Sequence, residues 1–253
     1  VPEYARCLDL LIRASASIND VDEGGKSCII IALLALMPDS DLRTHLECRQ
    51  GSAIWKARDC SSSSAERMLS SGMRIDDGVA RLCAGERGYE FVIWILQSRG
   101  DPNAMLKSLS ALMLAVISGH NQVFDALLEA KANVSVLDPL GRTVLHFAVL
   151  ANNNYMVVQL LRSYPKLALI SDSFGKSPLM FAVTLGQLLS INSLLPHSQV
   201  CSRNKKGKNV LMYASQALDP VFVRLVLDGR ADLRQRDARM CTALHYVVCA
   251  HSE

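Results

Sequence analysis

The 253-residue chain lacks the signatures that mark most enzyme classes. It has no glycine-rich phosphate loop, no G-x-S-x-G elbow and no H-E-x-x-H pair, so nothing in it announces nucleotide, acyl-transfer or zinc-protease chemistry. Its eight cysteines include no C-x-x-C spacing, which removes the usual zinc and dithiol readings. Several sit inside apolar helical patterns, where a reduced thiol acts as a small hydrophobe, so a reducing, intracellular setting is expected, the cytoplasm first and the nucleus next. The longest apolar run, 28–37, is about half of a membrane span, so no span is expected in this segment. The first residues have no signal-peptide layout. Charge is sparse at 20%, and a net +3 is too small to imply a nucleic-acid partner. Half the residues are hydrophobic, which excludes a disordered chain.

What the chain does have is a repeat. The six residues TVLHFA at 143–148 return as SPLMFA at 177–182, NVLMYA at 209–214 and TALHYV at 242–247. Upstream they return as SALMLA at 110–115, SAIWKA at 52–57 and SCIIIA at 27–32. The leucines at 112, 145, 179, 211 and 244 lie 33, 34, 32 and 33 residues apart. All seven copies open on Ser, Thr or Asn, residues that cap an orphaned helical N–H. Before most copies lies turn chemistry: Asp138 to Gly141, Asp172 to Gly175, and Asp22 with Gly25. A second amphipathic helix follows each copy and ends in an apolar pair such as Leu127 and Leu128, Leu160 and Leu161, or Val226 and Leu227. Gly119, Asn152 and Gly186 suit left-handed caps between the paired helices.

This pattern resembles the ankyrin repeat, whose T-P-L-H-x-A motif recurs near 33 residues. The likeness is best from Asp138 to Val247, where Thr143, Leu145, His146, Ala148, Ser177, Pro178, Leu179, Leu211, Thr242, Leu244 and His245 stand at motif positions. The resemblance implies an all-α fold: one ankyrin-repeat solenoid of about seven helix-turn-helix units with half units at both ends. The units run at about 1–20 (partial), 21–50, 51–76, 77–104, 105–137, 138–171, 172–203, 204–236 and 237–253 (partial). The spacing shrinks to 25 residues from Ile29 to Ile54 and to 26 from Ile54 to Ala80, and the hairpins between Gly51 and Gly78 are shortened. In the last copy Met240 replaces the hairpin glycine and Val247 the alanine. Neither end carries a polar capping face: Leu8, Leu10, Leu11 and Ile12 crowd the first helix, and Val247, Val248 and Cys249 the last. A segment of a longer polypeptide is therefore expected.

No catalytic centre is expected within these residues, nor any cofactor or metal. His146 and His245 share their position with Met113, Met180, Met212, Ile30 and Trp55, and successive copies lie about a repeat apart along the stack, so they do not form a ligand set. In the family this histidine bonds to hairpin backbone, which makes both residues structural. The Gly-Lys at 207–208 lacks the preceding glycine and strand of a phosphate loop. Asn19 and Asn103 occupy a position that some ankyrin proteins present to an asparaginyl hydroxylase, although turn preference alone accounts for Asn there.

The residue after the hairpin glycine is Lys26, Arg142, Lys176 and Lys208 in four copies. Stacked repeats would line these cations in a solvent-facing column, reinforced by Arg203, Lys205, Lys206, Arg236 and Arg239. From 201 to 239 there are nine Lys/Arg against four Asp. The resemblance implies a scaffold or protein–protein interaction module that binds along the concave side formed by hairpins and inner helices. The basic column points to an acidic partner surface or segment there. Nucleic acid is disfavoured because the stripe lacks interleaved aromatics. Two alternatives share the surface: the regulatory or docking region of a larger enzyme or membrane protein, and a structural subunit of a large assembly.

Overall fold

The computed structural model describes residues 88–250, apart from 98, 107, 218 and 230, together with seven of the first 33 residues (19, 21, 27, 29, 30, 32 and 33). Lys26 and the whole of the expected unit at 51–76 therefore lie outside the described residues. The chain forms two compact units, 1–133 and 134–253.

In the first unit Val21 and Ser27 pair in an antiparallel bridge. Ile29, Ile30, Ala32 and Leu33 follow and are buried. Later come α1 (Gly88–Gln97), the two-residue strands β1 (Met105–Leu106) and β2 (Leu109–Ser110), α2 (Ala111–Ser118) and α3 (Asn121–Glu129). The strands are antiparallel, with Met105 opposite Ser110 and Leu106 opposite Leu109. This is a minor departure from a purely helical expectation. The Ser110 hydroxyl accepts from the Met113 N–H at 3.2 Å, capping α2. Gly119 ends α2 at φ +76°. Helix α3 then packs on both α1 and α2.

The side-chain oxygen of Asn103 accepts from the Asn133 N–H at 2.7 Å. The Asn19 oxygen accepts from the Asp101 N–H at 2.6 Å in the same way, while the Asn19 amide donates to the Arg99 carbonyl at 3.2 Å. The first relation spans 30 residues and the second 82. Asn19 and Asn103 thus stand as neighbours in the first unit, while the expected unit at 51–76 lies outside the described residues. Both asparagines are occupied in joining hairpins, as their turn preference suggests.

The second unit holds α4 (Val144–Leu150), α5 (Asn154–Ser163), α6 (Pro178–Thr184), α7 (Leu188–Leu194), α8 (Val210–Gln216), α9 (Pro220–Asp228) and α10 (Ala243–Ala250). Short 3-10 turns at Pro165–Leu169 and Leu195–His197 follow α5 and α7. The motif helices α4, α6, α8 and α10 pack in succession, and α4, α6 and α8 each pack on the helix that follows in sequence. The reversals come where expected, at Asn152 (φ 52°) and Gly186 (φ 70°). Ser177 and Asn209 cap α6 and α8 by accepting from the N–H groups of Met180 at 3.4 Å and Met212 at 2.9 Å. The core runs along the motif leucines. Leu145, Leu179 and Leu211 are buried, whereas Leu244 is 71% exposed. Each of the first three is covered by the next motif helix, and among the described residues no such helix follows α10.

Candidate functional site: the hairpin edge

Four hairpins in the second unit share one construction. Asp138, Asp172, Asn204 and Asp237 each begin a tight turn that the chain closes four residues later. One side-chain oxygen of each accepts two backbone N–H groups, two and four residues on. These are Leu140 and Arg142, Phe174 and Lys176, Lys206 and Lys208, and Arg239 and Cys241, at 2.7–2.9 Å. Asp and Asn have side chains of the right length to take the place of a turn carbonyl. The fourth residue takes positive φ: Gly141 at 72°, Gly175 and Gly207 at 76°, and Met240 at 61°. Met240 thus adopts the glycine conformation with a Cβ in place, which costs about 1–2 kcal/mol.

The hairpins bond to one another. The Leu140 carbonyl accepts from the Ser173 N–H at 2.7 Å, that of Phe174 from the Lys205 N–H at 2.9 Å, and that of Lys206 from the Ala238 N–H at 3.0 Å. A Cβ on Gly175 would come within 3.0 Å of the Asn204 Cα and the Lys205 nitrogen. Glycine therefore serves both the turn and the close approach of the next hairpin.

His146 ties motif helix to hairpin. Its Nδ1 accepts from the Thr143 N–H at 3.1 Å, capping α4. That bond places the ring proton on Nε2, which donates to the Lys176 carbonyl of the next hairpin at 3.3 Å. Burial lowers the pKa of the ring below its ordinary value, with the Lys176 carbonyl opposing the shift. Both ring nitrogens are thus bonded within the scaffold. His245 repeats the cap, accepting from the Thr242 N–H at 3.2 Å.

The basic residues divide into two sets. Arg142, Lys176 and Lys208 do not point freely into solvent as expected; they are half-buried and turn back over aromatic rings of the motif helices. The Arg142 guanidinium pairs with the second Asp138 oxygen at 2.6 Å and lies 4.8 Å from the Phe147 ring centre. Lys176 Nζ lies 5.4 Å from the centre of the Phe181 ring and 5.5 Å from that of Tyr213. Lys208 Nζ lies 5.6 Å from the Tyr213 ring and 4.2 Å from the Tyr246 ring. Desolvation lowers the Lys208 pKa, and although Asp237 opposes this, the cations of Lys206, Arg239 and Lys176 add to it. Tyr246 donates to the second Asp237 oxygen at 2.6 Å, and burial with that bond pushes its phenol up.

Arg203 is also committed: Nε donates to the Gly207 carbonyl at 3.0 Å and Nη2 to the Arg236 carbonyl at 2.6 Å, clamping two hairpins together. Lys205, Lys206, Arg236 and Arg239 form the second set. They are exposed on successive hairpins, and no side-chain hydrogen bond or ion pair holds their charge among the described residues.

Aromatics at the fifth motif position, Phe147, Phe181, Tyr213 and Tyr246, were the feature that sequence reasoning missed. The stripe does carry interleaved aromatics, which corrects the premise on which nucleic acid was disfavoured. Three of these rings lie five residues after a cation, a regular offset present in the sequence. The ring faces meet lysine ammonium or guanidinium groups of the same chain, so they stiffen the hairpin–helix junction by cation–π attraction.

Among the described residues no cluster of His, Cys, Asp or Glu is arranged to hold a metal ion, and no helix is long and apolar enough to cross a membrane.

A family model described as ankyrin repeats, in three copies, matches residues 81–168. Rabankyrin-5 of Mus musculus is 33% identical over 147 residues, covering 56% of this chain and 12% of that protein. The nuclear factor NF-kappa-B p105 subunit of Gallus gallus is 31% identical over 139 residues, 53% of this chain and 14% of its own length. Ankyrin repeat protein T5 of Rabbit fibroma virus (strain Kasza) is 28% identical over 156 residues, 61% of this chain and 30% of that protein. The chain thus spans less than a third of each of these relatives.

Proposed function

This chain is an ankyrin-repeat protein, one of a class of typically non-enzymatic modules whose repeats generally mediate protein–protein interaction, and from that premise we propose that it recognises an acidic protein surface or segment along its hairpin edge. The observation that supports this reading is the second set of cations. Lys205, Lys206, Arg236 and Arg239 are exposed on adjoining hairpins whose backbone is fixed by hairpin-to-hairpin bonds. A surface already ordered before contact loses little entropy on binding. Unpaired charges held on such a surface attract and orient an oppositely charged partner. Arg142, Lys176 and Lys208 support that field from behind, while Arg203 serves the scaffold.

An intracellular setting fits the reduced thiol of Cys241. A docking region within a larger enzyme or membrane protein, or a fixed subunit of an assembly, would present the same edge. Release of the partner by salt distinguishes a reversible adaptor from the fixed subunit.

The test is binding of a synthetic oligoglutamate peptide, followed by fluorescence anisotropy over a range of salt. The expected result is an affinity that falls about tenfold or more between low and physiological ionic strength, and that is lost when Lys205, Lys206, Arg236 and Arg239 are all changed to Glu. Equal binding by the native and charge-reversed chains would overturn the proposal.

A further inference from the structure

The tips of the four hairpins are unlike in chemistry although identical in construction. The residue two after the turn Asp or Asn is Leu140, Phe174, Lys206 and Arg239 in turn. The bonds from Ser173 to Leu140, from Lys205 to Phe174 and from Ala238 to Lys206 place these tips in that order along one edge. Leu140 is 41% exposed and Phe174 57% exposed. Half of the edge therefore offers apolar side chains to water, and the other half offers unpaired cations.

We propose that this edge seats an extended protein segment with its apolar residues over Leu140 and Phe174 and its carboxylates over Lys206 and Arg239. The inference rests on the recognition reading above and adds the order of chemistry along the partner. A wholly acidic segment would strand carboxylates over Leu140 and Phe174, losing their solvation without a compensating charge. A wholly apolar one would leave the cations unmatched. Only a segment divided in the same way satisfies both halves. The same division disfavours a single-stranded nucleic acid, whose phosphates are uniform along its length. The aromatic rings that could stack bases are already faced by Arg142, Lys176 and Lys208.

The experiment compares three synthetic peptides of equal length on the whole chain: one with an apolar half and a glutamate half, a scrambled permutation of it, and a uniformly acidic one. A single-stranded oligonucleotide of matched charge serves as a fourth probe. The divided peptide is expected to bind about tenfold tighter than its scrambled form. Phe174→Ser should remove that advantage while leaving the salt dependence intact. Lys206→Glu combined with Arg239→Glu should remove the salt dependence. All of these positions are exposed, and thermal melts of each variant confirm that the fold is kept. Equal binding of divided and scrambled peptides would overturn the inference, as would tighter binding of the oligonucleotide. If the uniformly acidic peptide binds in a salt-dependent way while order makes no difference, the recognition reading stands and this inference falls. If no acidic peptide binds, both fall.

Discussion

At the scale of single residues, His146 shows how one side chain sets both a helix start and a hairpin contact. Both ring nitrogens are engaged only while the ring is neutral, one accepting from Thr143 and the other donating to the Lys176 carbonyl. Protonation would turn Nδ1 into a donor and break the bond that it accepts from the Thr143 N–H. The pKa is lowered from 6.5 in the folded chain, chiefly by burial, so the unfolded chain binds the proton more readily. Stability from this residue is therefore complete above about pH 6.5 and declines as the pH falls toward the lowered folded value. Chemical-denaturation midpoints measured from about pH 8 to pH 5 should fall with pH, and His146→Gln should start lower but fall less steeply. A variant whose midpoint declines as steeply as that of the native chain would show that other groups carry the dependence.

At the scale of elements, the hairpin is the unit that makes stacking possible, and its glycines can be ranked. Gly119 and Gly175 both sit at φ +76°, but a Cβ on Gly119 meets nothing within 4 Å, whereas one on Gly175 meets the Asn204 and Lys205 backbone at 3.0 Å. Gly119→Ala should cost about 1 kcal/mol, the conformational penalty alone. Gly175→Ala should cost about 2–3 kcal/mol, because the next hairpin must also shift. Urea unfolding of the two variants measures the difference, and equal losses would mean that hairpin apposition contributes little.

Much of this scale was legible in the sequence. Ser110, Ser177 and Asn209 cap helices as their positions dictate, and Gly119, Asn152 and Gly186 end them in left-handed backbone. Two things were not legible. The direction taken by Arg142, Lys176 and Lys208 depends on rings five residues on and a helical turn away, which repeat position alone does not specify. The neighbour relation between Asn19 and Asn103 depends on a bond across 82 residues, which motif spacing alone does not specify.

At the scale of the whole chain, two compact units each carry helices and hairpins of this pattern, and the proposed recognition edge belongs to residues 134–253. Its chemistry changes from apolar to basic along the chain while its backbone stays the same. That separation of a constant frame from varied tips is how a repeat protein acquires a particular partner. Leu244, exposed although its counterparts are buried, marks the part of the motif whose burial the sequence could not foretell, since it depends on what lies against α10.

The claim that recognition resides on the hairpins is tested most directly by NMR chemical-shift mapping of the isotopically labelled chain titrated with the divided apolar–acidic peptide. Shifts are expected at the tips, around 139–142, 173–176, 205–208 and 238–241, with little change in α5, α7 and α9. Shifts concentrated in those outer helices, with the hairpin amides unmoved, would contradict the account.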